Sequence, residues 1–152
     1  MEREKVIKIL KFYKGIDSEI RYNNLRIKEH QDRLNNAGGS VSFVEMSGNK
    51  YNTSDSTAAI AINTPEYIRE LQIKNQSLDR LKVTISQEID KLSIIQKTII
   101  HDFYIKGFRW IKIYTKIHYS DTQAKAHRKT GLEILGGYFE ENEVIKSFNY
   151  PK

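Results

Sequence analysis

Nine consecutive residues, 121–129, concentrate side chains able to hydrogen-bond to bases: Asp121, Thr122, Gln123, Lys125, Arg128 and Lys129, with Ala126 among them. Lysine and arginine suit the acceptors of guanine, glutamine suits adenine, and the methyl group of Ala126 suits a thymine methyl. Upstream, Arg109, Lys112, Lys116 and Ser120 have the donor chemistry of phosphate contacts, which add affinity without reading sequence. Asp121 stands apart, because a carboxylate repels phosphate.

The charge of the chain supports this grouping. The formal net charge is +6, and residues 96–133 hold eight Lys/Arg against three Asp/Glu. Nearly all of the excess therefore sits in one window, as on a nucleic-acid-binding face.

Local signals place those residues on two short helices. Ser93-Ile94-Ile95-Gln96 has the spacing of a capping box. It opens a helix with Ile99, Ile100, Phe103 and Tyr104 on its apolar side, which Gly107 can end in a left-handed conformation. A second helix is predicted over Arg109–Ile117, with Trp110, Ile113, Tyr114 and Ile117 inward. His118-Tyr119 forms a tight turn. Ser120-Asp121-Thr122-Gln123 is another capping box and opens a third helix, with Ala124, His127, Leu132 and Leu135 inward and Gly136-Gly137 as its stop. Two helices joined by a short turn, the second marked at its start, follow helix-turn-helix grammar.

The rest of the chain must carry this domain. Val6, Ile9, Tyr13, Ile16, Ile20, Asn23, Ile27, His30 and Leu34 follow heptad spacing, which predicts a long amphipathic helix to about Asn36. Gly38–Asn63 is rich in Gly, Ser, Thr and Asn and reads as a linker over 37–64; its Val41–Met46 cluster also permits a short hairpin. Thr64-Pro65-Glu66 carries start signals for a second long helix reaching Leu92, with Ile68, Leu71, Leu78, Ile85, Ile89 and Leu92 on its seam. Asn75 and Lys82 are polar breaks there. The two helices are expected to pack as an antiparallel pair within one chain, or on a second copy as a homodimer. Asn23 and Asn75 either fix register or sit at a solvated edge. Residues 140–152 read as a tail in which Phe148 and Tyr150 can dock on the body. The fold class expected is all-α.

Gly107-Phe108-Arg109-Trp110-Ile111-Lys112-Ile113-Tyr114-Thr115-Lys116-Ile117-His118-Tyr119-Ser120 resembles the helix-turn-helix of sigma-factor region 4. Residues 125–135 resemble that motif's closing helix, and the layout of the whole chain is similar to phage regulators of the ArpU and RinA type. The resemblance implies promoter-proximal binding to double-stranded DNA and control of late phage or prophage genes in the cytoplasm of a bacterial host, and leaves open whether RNA polymerase is touched as well. It implies base reading from Asp121, Thr122, Lys125 and Ala126. The chain departs from the pattern at Tyr114, at His127 and Asp102 in apolar positions, at Gly131, and at Asp121, which replaces a basic residue.

Other classes find less support. The chain has no cysteine, which removes disulfides, thiol catalysis and cysteine-bound zinc. No apolar run reaches membrane-spanning length, and the first residues lack signal-peptide features. No catalytic constellation, metal spacing or cofactor fingerprint is recognisable, so an enzyme is not expected and no cofactor is implied. Two alternatives remain: a helical interaction protein that docks on RNA polymerase or another regulator, and a phage small terminase subunit, a class that usually places its helix-turn-helix at the N-terminus.

Overall fold

A computed structural model describes the backbone of residues 1–39 and 54–152, and the side chains of residues 1–36 and 65–152. Among these the fold is all-helical. Helix α1 spans Arg3–Gly39 and α2 spans Ser54–Asp90. They are followed by α3 (Ile94–Ile100), which passes into a π turn at His101–Ile105, then α4 (Trp110–Lys116), α5 (Asp121–Glu141) and α6 (Glu143–Ser147). Helix α2 begins upstream of the expected Thr64 start. Pro65 therefore stands inside it, where it has no N–H to give to the preceding turn. Of the expected linker over 37–64, residues 40–53 lie outside the described residues, as does the Val41–Met46 hairpin. No helix among the described residues is long and apolar enough to cross a membrane.

The chain divides into two compact units, one of residues Ser18–Leu78 and the other of Met1–Asp17 with Asp79–Lys152. Parts of α1 and α2 thus belong to the same unit as the C-terminal helices.

In the Ser18–Leu78 unit, α1 and α2 pack antiparallel by the seams that the heptads define. Ile27, Ile68 and Leu71 form a buried cluster with Tyr67 against it. The asparagines lie on the contact. Asn23 Nδ2 donates to Asn75 Oδ1 at 2.9 Å, and Asn75 Nδ2 donates to Asn24 Oδ1 at 2.9 Å. Shifting one helix along the other would break both bonds, so Asn23 and Asn75 fix register, as a buried seam asparagine can. His30 packs edge-on against Tyr67, with centroids 4.7 Å apart. Burial, with Arg33 and Arg26 nearby, holds the His30 pKa below its usual value.

The other unit has the larger core. Val6, Ile9, Leu10 and Ile16 of α1 and Leu81, Ile85 and Ile89 of α2 are buried with Leu92, Ile99, Ile100, Ile113, Ala124, Leu132, Leu135, Phe139 and Ile145. Each such Val, Leu, Ile or Phe side chain contributes about 1.5–3 kcal/mol when buried. Lys82 of α2 bonds to Asp17 of α1 at 2.6 Å.

Two glycines of α5 mark close approach. A Cβ on Gly131 would stand 3.2 Å from Ile100 Cδ1 and 3.3 Å from Gln96 Cβ, so α3 crosses α5 there. A side chain in place of Gly131 would require Ile100 and Gln96 to give by a few tenths of an ångström. The expected stop at Gly136-Gly137 does not occur; α5 continues to Glu141. Gly136 is buried against Met1 O and Val6, where a Cβ would come within 3.0 Å and 3.2 Å, and the buried Phe139 anchors the next turn.

The expected tail contains α6. Asn142 Oδ1 accepts from the backbone N–H groups of Val144 and Ile145, while its Nδ2 donates to Glu88 Oε1 at 2.8 Å. One side chain therefore caps α6 and satisfies one oxygen of a buried carboxylate of α2. Lys91 Nζ lies 2.6 Å from the other oxygen of Glu88. Beyond α6, Phe148 and Tyr150 pack on Phe12, with centroids 5.6 and 5.4 Å away. The Tyr150 hydroxyl donates to Ile145 O at 2.9 Å.

Burial pushes the Tyr150 hydroxyl pKa up to about 12. Between the ordinary tyrosine value near 10 and this raised one, the unfolded chain loses the proton first. Stability is therefore full below pH 10 and falls as pH rises toward 12. Urea unfolding across that range should show a shallower decline for Tyr150→Phe than for the parent chain.

Candidate nucleic-acid interface

The geometry at α4 and α5 begins with three helix ends. The helix formed by α3 and the π turn closes at Gly107, whose φ of +71° is left-handed; Phe108 N–H reaches back to Asp102 O at 2.8 Å. Helix α4 closes in a Schellman motif: Tyr119 N–H bonds to Tyr114 O at 3.1 Å and His118 N–H to Thr115 O at 3.2 Å. This requires His118 to adopt φ +59°, which costs a residue bearing a Cβ about 1–2 kcal/mol. His118→Gly should accordingly raise stability by roughly 0.5–1 kcal/mol, after allowance for glycine's greater chain entropy. Thermal melting of the two proteins checks this.

Helix α5 opens with the capping box that the sequence marks. Gln123 N–H donates to Ser120 Oγ at 3.1 Å, and Ser120 N–H donates to Gln123 Oε1 at 3.2 Å. The box at Ser93 and Gln96 is likewise closed.

Trp110 joins the start of α4 to the start of α5. Its Nε1–H donates to Asp121 Oδ1 at 2.6 Å, and Lys125 Nζ lies 3.3 Å from Asp121 Oδ2. The Trp110 bond foremost, with the adjacent Lys125, holds the Asp121 carboxyl below the usual carboxylate range. The Arg128 guanidinium lies 4.6 Å from the Trp110 ring centroid and 5.1 Å from that of Phe103. Phe103 and Tyr114 meet Trp110 edge-on at 5.5 and 6.2 Å, so Tyr114, where the motif has a small residue, fills space beside the tryptophan. His127 stacks on Tyr119 at 5.1 Å.

These contacts sort the expected residues. Asp121 and Arg128 are half-buried and engaged with Trp110, and Gln123 is engaged in the cap. Thr122, Lys125, Ala126 and Lys129 are exposed. Their spacing of three, four and seven puts them on one outer face of α5. Arg109, Lys112, Lys116 and Ser120 are also exposed. Lys112 Nζ rests 4.0 Å from the Phe108 ring centroid, and Lys116 Nζ is 3.1 Å from Asp102 Oδ2.

Asp102 was visible in the sequence only as an anomaly in an apolar position. It is buried, and its other oxygen lies 3.4 Å from Lys106 Nζ. The Asp102-to-Lys106 spacing of four was a legible signal for one of these pairs; the pairing with Lys116 requires the fold. Among the described residues no group of three or more His, Asp or Glu side chains is placed to hold a metal ion. No family model, curated protein or solved structure matches the chain.

Proposed function

We propose that the chain is a sequence-specific, double-stranded-DNA-binding transcription regulator of the phage type, with α4, the Ile117–Ser120 turn and α5 as its helix-turn-helix. The observation that carries this reading is the outer face of α5. Trp110, bonded to Asp121 and lying against Arg128, ties its first turns to α4, and Thr122, Lys125, Ala126 and Lys129 are exposed. A capped helix with such a face suits the major groove. Base contacts fall to these four residues, with lysines toward guanine and Ala126 toward a thymine methyl. Asp121 and Arg128 set the helix's orientation, and Gln123 sets its first turn. Phosphate contacts fall to Arg109, Lys112, Lys116 and the hydroxyl of Ser120.

The sequence resemblance to sigma region 4 and to ArpU- and RinA-type regulators supports the same reading and suggests control of phage or prophage genes. The seams of α1 and α2 meet within one chain in the Ser18–Leu78 unit.

Fluorescence anisotropy of a labelled mixed-sequence duplex tests the proposal. Binding should weaken steeply with salt, by a slope of about −0.9 in log K per log salt for each phosphate neutralised. Absent or salt-insensitive binding would contradict it.

A further inference from the structure

Five basic residues gather around the turn between the π segment and α4, and two of them were not part of the expected interface. Lys106 and Lys112 both approach the Phe108 ring, with Nζ 5.6 and 4.0 Å from its centroid. Lys106 and Lys116 share the buried carboxylate of Asp102 at 3.4 and 3.1 Å. Lys14, from α1, places its Nζ 3.4 Å from where a Cβ on Gly107 would stand. Arg109 follows Phe108 directly and is exposed.

Asp102 thus pairs with two of the five cations, and the Phe108 ring receives two. Like charges held this close repel one another, and the aromatic face and Asp102 restrain three of them in place. Such an arrangement favours an incoming anion, and every one of the five side chains is exposed to meet it. Gly107 has no side chain to keep Lys14 away from the turn.

We propose that Lys14, Lys106, Lys112 and Lys116, with Arg109, form a platform for the phosphodiester backbone of duplex DNA, centred on Phe108. The platform rests on the functional reading above and extends it: the N-terminal helix contributes to the interface through Lys14. Asp102 acts as a positioning residue that aims Lys106 and Lys116. Because the platform touches only backbone, it adds affinity for any duplex and leaves sequence preference to α5.

The test is the salt dependence of binding to a mixed-sequence 30-base-pair duplex, measured for the full chain and its variants. Lys14→Gln should reduce the magnitude of the log K against log salt slope by about 0.9, and Lys14→Gln with Lys112→Gln by about 1.8. Lys14→Arg should keep the parent slope. Lys28→Gln, an exposed lysine of the Ser18–Leu78 unit, should also keep it. Circular-dichroism melting confirms that each variant is folded. A parent that binds while Lys14→Gln keeps the full slope overturns the platform and leaves the α5 reading standing. An equal drop for Lys28→Gln also overturns it, since net charge alone would then be at work. A parent that binds no duplex even at low salt overturns both the platform and the function on which it rests.

Discussion

Trp110→Ala should destabilise the unit containing α3 to α6 by about 3 kcal/mol, the lower end of what truncating a large aromatic costs. Several interactions disappear together. The edge-on packing with Phe103 and Tyr114 goes, Arg128 is left with one of its two aromatic faces, and Asp121 is deprived of its 2.6 Å donor. Trp110→Phe separates these effects. It keeps a ring for Arg128 and Phe103 but removes the N–H, so its cost should be about 1.5 kcal/mol, the low end for a hydrogen bond to a charged group. Trp110 is the chain's only tryptophan, so urea unfolding of both variants is best followed by circular dichroism. Equal costs for the two variants would mean that the Asp121 bond, rather than ring packing, fixes α5 on α4.

Lys125→Ala combined with Lys129→Ala should weaken binding to a preferred duplex by about 100-fold, taking ~1.4 kcal/mol for each base-reading side chain removed. Both side chains lie on the exposed face of α5. Truncation of Lys129 leaves every described hydrogen bond intact, and truncation of Lys125 breaks only its exposed pair with Asp121. Folding should therefore be little changed. Arg128→Ala should behave differently. Its guanidinium is committed to Trp110 and Phe103, so the loss should appear in the melting temperature as well as in affinity. Selection of duplexes from a randomised pool gives the readout: the parent should enrich a recurring motif, and the double variant should enrich it weakly or not at all. A double variant that selects the same motif with the same affinity would remove α5 from sequence reading.

The periodic and capping signals of the sequence carried far into the structure. The seam positions from Val6 to His30 and from Ile68 to Leu92 proved buried or half-buried, whereas Leu34, the last expected position of the first seam, is exposed; Lys82 makes an ion pair where it breaks the pattern. Both capping boxes closed as their spacing implied, because that motif depends on residues only three apart. Gly107 took its left-handed conformation for the same local reason. What the sequence concealed depends on distant contacts. Gly136 resembled a helix stop, yet the backbone of Met1 and the side chain of Val6 press on it and the helix continues. A glycine that ends a helix and one that admits a neighbour look alike until the neighbour is known. Pro65 likewise resembled a start, and the helix extends upstream of it.

The candidate site was legible as a set of residues and less so as a division of roles. Asp121, Thr122, Gln123, Lys125, Ala126, Arg128 and Lys129 all lie on α5 and its first turns, where spacing put them. Which are committed to the protein itself depends on Trp110, eleven residues from Asp121. Lys14 had no signal at all, because only the packing of α1 brings it to Gly107.

Backbone amide chemical shifts of the labelled chain, recorded while duplex DNA is added, test the central claim most directly. The largest changes should run along Ser120–Lys129, with a second group at Arg109–Lys116 and little change over residues 18–36 and 65–78. Changes confined to those last two segments, or none anywhere, would contradict the assignment of α5 as the helix that enters the groove.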